Sequence, residues 1–452
     1  MKRSFTRALL ALLIAAGSAL AAPPTETAAA LPKIVVAFAN EPLTSPGPAG
    51  TTGSRYSGTG YSVGQSAQRQ ARAVASQYSL REVRSWPIRV LSMHCVVYEI
   101  ANGRPVEEVL AALSKDSRVV LAQPLQDFHT LTGPSAPGGA ASSGSAAPGG
   151  AELTSIAAHS TEAGASAPPY NDPLYDLQTN MTALGIARAH ARAQGAGVHI
   201  AIIDTGVDLT HPDLHGASVR THSFLDDQTS AASLRHGTAM AGVIAAVANN
   251  HIGIVGVAPQ ARIEVFEACW QLAPGKDAAA CNTFTLARAL AAALASEAQL
   301  VNLSFAGPAD PLLAALVEAG LKRGVTFVGA AAGPDAPFPT AIPGVIAAAG
   351  TEQPLPPGAL GAPALHVMTL RPGGEYDFES GTSIAAAEIT GVLALLISAS
   401  PTRLSTPTLV SLLSGPTAVH PGDPPPVDVN AALARLDAMH GVSTIAARAA
   451  PP

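Results

Sequence analysis

The sequence predicts an α/β fold in which helices flank a mainly parallel sheet, preceded by a small α+β domain of ferredoxin-like topology. Hydrophobic residues make up 48% of the 452 residues and charged residues only 13%, a balance that excludes a disordered, highly charged chain. After residue 170, apolar runs rich in β-branched residues alternate with helical patterns. Because these runs lack polar alternation, we expect helices to cover both faces of the sheet.

The N-terminus has the features of a secretory signal peptide, which we place at residues 1–21. Its parts are, in order, the charged residues Lys2, Arg3 and Arg7, the apolar stretch 8–16, which is too short to span a bilayer, and the small-x-small site Ala19-Leu20-Ala21. A short buried helix is the alternative, but the positive flank favours export to a periplasm or out of the cell. No later stretch is apolar and long enough to predict a membrane span in the mature chain.

Residues 32–131 show strand and helix patterns in the order βαββαβ, the order of a small ferredoxin-like sandwich. The predicted strands are 33–38, 83–93, 95–100 and 118–122, and the predicted helices are 66–78 and 105–115. Residues 132–169 consist almost only of Ala, Gly, Ser, Pro and Thr, too poor in large apolar groups to offset chain entropy. We therefore expect a linker and the main domain boundary there.

Residues 170–437 form the predicted larger domain, followed by a tail at 438–452. Buried strands are predicted at 198–204, 261–269, 299–305, 325–331 and 344–350, and helices near 181–194, 236–249, 284–297, 310–323, 383–399 and 406–414. In parallel α/β sheets, ligands bind at the carboxyl ends of strands, where helices begin. Candidate functional residues are therefore sought at those junctions.

Three short motifs lie at such junctions. Asp204-Thr205-Gly206 ends an apolar strand, while His236-Gly237-Thr238 and Gly381-Thr382-Ser383 each open an apolar helix. A serine hydroxyl becomes nucleophilic when an imidazole accepts its proton, and the imidazole needs a carboxylate that holds its tautomer and stabilises its cation. Each motif alone is more often a turn or a helix cap, but the three together favour a catalytic triad.

These motifs resemble the signature segments of the subtilisin-like serine proteases, the subtilases of peptidase family S8. The resemblance covers residues 170–437 and rests on segments 198–214, 236–242, 301–308 and 380–386. It implies that Asp204 orients His236, that His236 is general base and acid, and that Ser383 attacks the peptide carbonyl. It also implies that two strands flank the substrate, with plain core strands as the alternative; their residues are Ser304, Phe305, Ala306, Gly307, Gly329, Ala330 and Ala331.

One position departs from the family pattern. Subtilases usually carry Ala-Ala-Gly-Asn, whose Asn donates to the oxyanion, whereas this chain has Ala331-Ala332-Gly333-Pro334. Proline has neither a side-chain donor nor a backbone N–H. The remaining oxyanion donors are the Ser383 N–H and Thr382, so we expect weak activity unless a deletion has shifted this loop.

The N-terminal sandwich gains a role from the same resemblance. Residues 86–128 resemble the propeptide of these proteases, so 32–131 is interpreted as an inhibitor-type propeptide. The resemblance implies that residues 124–132 lie in the active-site cleft as a product-like intramolecular inhibitor. A parallel sheet folds slowly, which gives a physical reason for a propeptide that also assists folding. An unrelated binding domain is the alternative.

Two of the three cysteines, Cys269 and Cys281, bracket a polar insertion after a strand. They are expected to form a disulfide, whereas Cys95 lies in the propeptide.

Asp172, Asp213 and Asn250 are similar in position to calcium ligands of some family members. Because Asp and Asn are common in loops, we assign no metal ligands and leave a structural calcium ion open. No cofactor is expected in catalysis.

The whole sequence predicts a secreted serine endopeptidase that cleaves proteins or peptides and is made as an autoinhibited precursor. A net charge of −6 without a basic run argues against nucleic acid partners. The alternative, motivated by Pro334, is a catalytically weak or silent subtilisin fold that binds peptides or a protein partner. An α/β-hydrolase esterase would need Gly-x-Ser-x-Gly, whereas Ser383 lies in Gly-Thr-Ser-Ile-Ala.

Overall fold

The computed structural model describes residues 31–40, 63–131, 169–225, 234–272, 278–414 and 427–449. The predicted signal peptide at 1–21 and the predicted linker, apart from Pro169, lie outside the described residues.

An antiparallel sheet with two helices makes up the N-terminal unit. Its elements are β1 (Lys33–Ala39), α1 (Gln65–Tyr78), β2 (Leu80–Ile88), β3 (Met93–Ile100), α2 (Val106–Leu113) and β4 (Val119–Pro124). The strand order is β2-β3-β1-β4, and each neighbouring pair is antiparallel. The elements follow in the predicted order, although β2 ends at Ile88 because a short 3₁₀ turn, Arg89–Leu91, separates it from β3.

The two faces of this small sheet pack against different partners, because side chains alternate along a strand. Ile34, Val36 and Phe38 share a buried cluster with side chains of α1 and α2. Val35 and Ala37 point the other way and join a cluster formed mainly by the larger unit. The sheet therefore docks face-on against the rest of the chain.

The larger unit contributes the remaining described elements. Its strands and the one preceding it are β5 (Asp127–Thr130), β6 (His199–Asp204), β7 (Ser218–Ser223), β8 (Arg262–Glu267), β9 (Cys269–Gln271), β10 (Ala279–Asn282), β11 (Leu300–Leu303), β12 (Phe305–Ala306), β13 (Thr326–Ala330), β14 (Ile346–Gly350), β15 (Leu360–Ala362), β16 (Val367–Arg371) and β17 (Glu375–Glu379). Its helices are α3 (Thr179–Ala183), α4 (Ile186–His190), α5 (Arg235–Ala245), α6 (Thr283–Ala293), α7 (Pro311–Lys322), α8 (Thr382–Ala399), α9 (Thr406–Ser414) and α10 (Val429–Ala449).

Seven strands form one parallel sheet in the order β15-β14-β13-β11-β6-β8-β7. Ile200 and Ile202 on β6 pack in one cluster with side chains of α5 and α8. Ala201 and Ile203 pack on the opposite face with side chains of α6 and α7. Both faces are covered, which is why the strand sequences show no polar alternation.

Helix α8 is the central helix of this unit. Among the described helices it is the one that is long and apolar enough to cross a membrane, with a mean hydropathy of 1.7, but 83% of it is buried inside the protein. It is therefore read as a core helix, and its second residue is Ser383.

Several elements differ from the predicted ones for local reasons. The helix predicted at 181–194 is two short helices, because Gly185 between them has a left-handed φ of 69°. The strand predicted at 299–305 splits, and β12 leaves the large sheet to pair with β5. The unpredicted strand β7 is polar and mostly exposed, so it lacks an apolar signal. Helix α10 was also unpredicted, and it crosses the boundary placed at residues 437 and 438.

Candidate active site

Asp204 is the last residue of β6, at the carboxyl end of the parallel sheet. Its side chain is fully buried, and Oδ1 accepts the backbone N–H of Thr205 at 2.6 Å. A buried carboxylate is costly unless it is hydrogen-bonded and paired. Its partner is the imidazole of His236.

His236 is the second residue of α5 and is almost fully buried. Its Nδ1 lies 2.6 Å from Asp204 Oδ1 and 2.8 Å from Oδ2. The contact depends on a close approach of α5 to the turn after β6, where a Cβ on Gly237 would lie 2.5 Å from the carbonyl oxygens of Thr205 and Gly206. Steric crowding therefore explains why this position of the motif is glycine. The Gly237 N–H also donates to Thr205 Oγ1 at 2.8 Å.

Ser383 is the second residue of α8, and Gly381 directly before the helix has a φ of 134° that favours glycine. Its hydroxyl donates to the backbone carbonyl of Ser304 at 3.0 Å. His236 Nε2 is buried and has no hydrogen-bond partner in the part of the chain that the structure describes. The structure thus brings Asp204 and His236 into direct contact but turns the Ser383 hydroxyl toward Ser304.

A buried polar network holds Ser304, and sequence reasoning missed two of its members. Ser304 Oγ donates to Asn302 Oδ1 at 2.7 Å, and Asn302 Nδ2 donates to Thr390 Oγ1 at 3.1 Å. Asn302 is a polar residue in an apolar strand, and Thr390 lies two turns after Ser383 on the same helix. Asn302 in an apolar strand and Thr390 in an apolar helix were the features of the sequence that could have revealed this network. The network ties the strand that faces the nucleophile to α8.

The residues predicted to flank the substrate already hold a peptide strand. A second sheet has the order β12-β5-β10-β9, with β5 antiparallel to both neighbours. Thr130 lies opposite Phe305, and His129 lies opposite both Ala306 and Ala280. The strand β5 therefore fills a groove between β12 and β10.

Phe128 anchors β5 in this groove. Its fully buried ring meets the rings of Phe305 and Phe338 edge-on, with centroid distances of 6.2 and 5.4 Å. A Cβ on Gly307 would collide with the ring, so the absence of a side chain there makes room for it. Phe338 and Gly307 also exchange two backbone hydrogen bonds, which fixes this wall of the pocket.

The remaining predicted flanking residues lie further from β5. Gly329 and Ala330 are the last two residues of β13 and pair with β14 in the large sheet. Ala331 follows β13 and lines a cavity of about 360 Å³ together with Gly333, Gly381 and Thr382. This cavity adjoins the nucleophile, whereas a larger one of about 800 Å³, lined by residues of β14, β15 and α9, contains none of the predicted site residues.

The predicted cysteine pair forms the outer edge of the groove. The structure joins Cys269 and Cys281 in a disulfide between β9 and β10, with their Cα atoms 4.2 Å apart. Cys281 also lies opposite Phe128 in the register of β10 and β5. Cys95 is a buried free thiol in β3, and burial raises its pKa.

The three residues considered for calcium lie close together but do not present a set of free oxygens. Asp213 Oδ1 accepts the Asn250 side-chain N–H at 2.7 Å, and Oδ2 accepts the backbone N–H of Ile254 at 2.8 Å. Asp172 accepts the backbone N–H groups of Asn249 and Asn250. Calcium needs six to eight oxygen ligands. As arranged, with N–H donors on both carboxylates, the residues do not fit that ion.

Comparison with known proteins agrees with this geometry. The model of the Subtilase family matches residues 195–423. Thermitase of Thermoactinomyces vulgaris is 33% identical over 243 residues, which are 50% of this chain and 85% of thermitase. Subtilisin E of Bacillus subtilis is 30% identical over 237 residues, 46% of this chain and 57% of that relative. The chain thus spans most of thermitase and little more than half of subtilisin E.

A solved structure shares the fold over most of the chain. Fervidolysin from Fervidobacterium pennivorans, described as a keratinolytic enzyme related to subtilisin, superposes with a TM-score of 0.63 at 19% identity. The match covers 90% of this chain and 61% of fervidolysin. The predicted fold class is confirmed by this likeness and by the parallel sheet. With its family model, its relatives and its fold in agreement, the chain belongs to the subtilases, a family of serine endopeptidases.

Proposed function

We propose that this chain is a secreted serine endopeptidase whose triad is Asp204, His236 and Ser383, and that it is made as an autoinhibited precursor. The observation that carries the proposal is the strand β5, which lies in the groove beside the triad residues. These three side chains are buried, with at most 3% of each residue exposed, as expected for a covered site.

In the proposed reaction, rotation about χ1 turns the Ser383 hydroxyl from the Ser304 carbonyl to His236 Nε2. Nε2 takes the proton as Oγ attacks the peptide carbonyl, while Asp204 holds the Nδ1–H tautomer and stabilises the imidazolium. His236 then protonates the leaving amine, and water hydrolyses the acyl-enzyme by the same steps. The Ser383 N–H and Thr382 are the proposed oxyanion donors.

The register of β5 supports a proposed maturation site. Because Thr130 lies opposite Phe305 and the strands run antiparallel, the next residue, Leu131, falls opposite Ser304. The Ser304 carbonyl accepts the Ser383 hydroxyl, so Leu131 reaches the nucleophile. We therefore propose that the precursor cleaves itself after Leu131, which leaves residues 32–131 as an inhibitor with its last strand in the groove.

The test uses the full-length chain. A fluorophosphonate probe should label the wild-type protein at Ser383, and N-terminal sequencing of the processed protein should begin at Thr132. The Ser383→Ala variant, with unchanged circular dichroism, should neither bind the probe nor process itself. Casein cleavage by that variant at the parent rate would refute the triad. A fully active precursor with residues 32–131 still attached would refute autoinhibition.

A second candidate function is a silent subtilisin fold that binds peptides. It is favoured by Pro334 and by the hydrogen bond that holds the Ser383 hydroxyl on Ser304. This function predicts no probe labelling at any pH, together with retained binding of the β5 sequence. Labelling at Ser383 would exclude it.

Export is proposed from residues 1–21, and the disulfide favours an oxidising compartment. Fractionation of expressing cells should place the processed protein outside the cytoplasm. Its retention there with residues 1–21 attached would contradict export.

A further inference from the structure

Among the described residues that line the cavity beside the nucleophile, one has an ionisable side chain. Four segments line the cavity: the residues after β13, the end of β14 with the turn that follows, the Ala364-Leu365 pair, and the Gly381-Thr382 pair directly before Ser383. Most of the lining residues are Ala, Gly or Pro, and Glu352 is the one that carries a charge.

The exposed Glu352 side chain is held at the cavity wall by one hydrogen bond. Oε1 accepts the backbone N–H of Ala364 at 2.8 Å. A Cβ on Gly350 would lie 2.6 Å from Oε2, so the missing side chain at that position leaves space for the second oxygen. Both Ala364 and Gly350 line the cavity themselves. The carboxylate is thus oriented by the cavity wall.

No cation among the described residues neutralises this carboxylate. Among the described residues, no Lys, Arg or His forms an ion pair with Glu352. The strand β5 does not fill the cavity either, since none of its residues is among those that line it. The site is therefore a mainly apolar hollow of about 360 Å³ next to the nucleophile, with a carboxylate on its wall that no described residue pairs.

We propose that this cavity is a subsite for a lysine or arginine side chain of the substrate, on a residue next to the scissile bond, and that Glu352 is its counterion. Small lining residues leave room for the methylene stem, and the fixed carboxylate meets the cationic head. The subsite rests on the proposed peptidase function. It deepens that function by making the enzyme prefer basic residues beside the scissile bond in substrates that bind from solution. The self-cleavage between Leu131 and Thr132 is intramolecular and does not use the cavity, which no residue of β5 lines.

The first test measures substrate selectivity. Matched quenched-fluorescent peptides carry Lys, Arg, Leu or Glu on either side of the cleaved bond. Glu352→Gln, which keeps an acceptor for the Ala364 N–H, should lower kcat/KM for the basic peptides by up to about fivefold, the loss of an ion pair with an exposed carboxylate, and leave the Leu peptides unchanged. Glu352→Lys should shift the preference to Glu peptides. The control Glu318→Gln makes the same charge change on the exposed face of α7 and should alter nothing.

The second test does not depend on turnover. Full-length Ser383→Ala protein is titrated with agmatine, a small guanidinium compound, by calorimetry. Loss of agmatine binding in the Ser383→Ala, Glu352→Gln double variant supports the subsite. This holds even if the wild type cleaves no peptide, because a lack of cleavage would count only against the proposed peptidase function. Equal agmatine binding with and without Glu352, or an equal loss of kcat/KM on all peptides, overturns the subsite.

Discussion

At the scale of single residues, the oxyanion position is the weakest part of the proposed machinery. Pro334 lies in an exposed loop after β13 and supplies no donor, while Thr382 and the Ser383 N–H lie at the start of α8. A missing oxyanion donor weakens stabilisation of the transition state and leaves substrate binding nearly unchanged. It should therefore appear in kcat.

Replacing Pro334 with Asn should raise kcat by about tenfold or more while KM stays the same. The gain should stay below the roughly 10²–10³ that this donor is worth in subtilisin, because Pro337 and the turn from Ala336 N–H to the Gly333 carbonyl constrain the loop. Steady-state kinetics on one peptide series measures both constants. If kcat is unchanged and the wild type is already fast, another donor acts, and Thr382→Val should then lower kcat.

A second residue of interest is Glu388, which is fully buried on α8. Asn180 Nδ2 donates to its Oε1 at 2.8 Å, while Glu388 Oε2 and Asn180 Oδ1 are buried and have no hydrogen-bond partner among the described residues. A proton on Oε2 would complement the open acceptor on Asn180. Burial raises the pKa of Glu388 well above its ordinary value, and the nearby Glu352 adds to the effect.

Glu388→Gln should stabilise the protein above about pH 4.3, the ordinary pKa of a glutamate, because the unfolded chain releases there a proton that the folded chain keeps. The wild type accordingly loses stability as pH rises from that value toward the raised folded pKa. Glutamine offers the same donor and acceptor without titrating. Urea unfolding between pH 5 and 9, in the Ser383→Ala background to prevent autolysis, should give a flatter profile for the variant. Matching slopes for Glu388→Gln and the surface control Glu318→Gln would contradict this.

At the scale of elements, β5 is the strand that couples the two units. It adds to the edge of β12 and to the hairpin β9–β10 that the disulfide closes. Its backbone pairing can accept many sequences, whereas the ring of Phe128 fills a specific pocket. The side chain of Phe128 should therefore determine how tightly the groove stays closed.

Phe128→Ala should slow cleavage after Leu131 and increase probe labelling of the uncleaved precursor, since truncating a buried Phe costs about 3–5 kcal/mol. His129→Ala, at the neighbouring exposed position of the same strand, is the matched control and should behave as wild type. Gel-based labelling over time measures both effects. Identical behaviour of the two variants would show that the ring does not hold the strand.

At the scale of the whole molecule, the two units share one buried cluster. The Trp86 ring on β2 meets the Phe284 ring on α6 edge-on, with centroids 4.7 Å apart. Units that bury apolar surface against each other are expected to unfold together.

Trp86→Ala in the uncleaved Ser383→Ala chain should lower the free energy of unfolding by about 3–5 kcal/mol, because it removes a buried aromatic side chain from the shared cluster. Val120→Ala is the control: Val120 is 51% exposed on β4, and its loss should cost no more than about 0.5 kcal/mol. Calorimetry should show one transition that shifts as a whole. Two separate transitions, with only one moved by Trp86→Ala, would show that the units are independent.

The sequence by itself determined the parallel α/β fold, the order of the elements in the N-terminal unit and the junctions at which Asp204, His236 and Ser383 lie. These features depend on local patterns: apolar runs of strand length, helical periodicity, and a polar residue where a strand ends or a helix begins. The glycines of the motifs belong to the same class, because the backbone positions at Gly237 and Gly381 exclude larger residues. Short-range sterics act between neighbours in the chain, so a single sequence displays them.

Only the tertiary structure decided which way the Ser383 hydroxyl points, that β5 lies between β12 and β10, and that Glu352 lies on the wall of a cavity beside the nucleophile. Thr130 and Phe305 are 175 positions apart, yet they lie opposite each other. Glu352 and Thr382 are separated by the β16–β17 hairpin, yet they line one cavity. Such contacts result from packing elements together across long stretches of chain, and no local pattern of residue types encodes the distance between them.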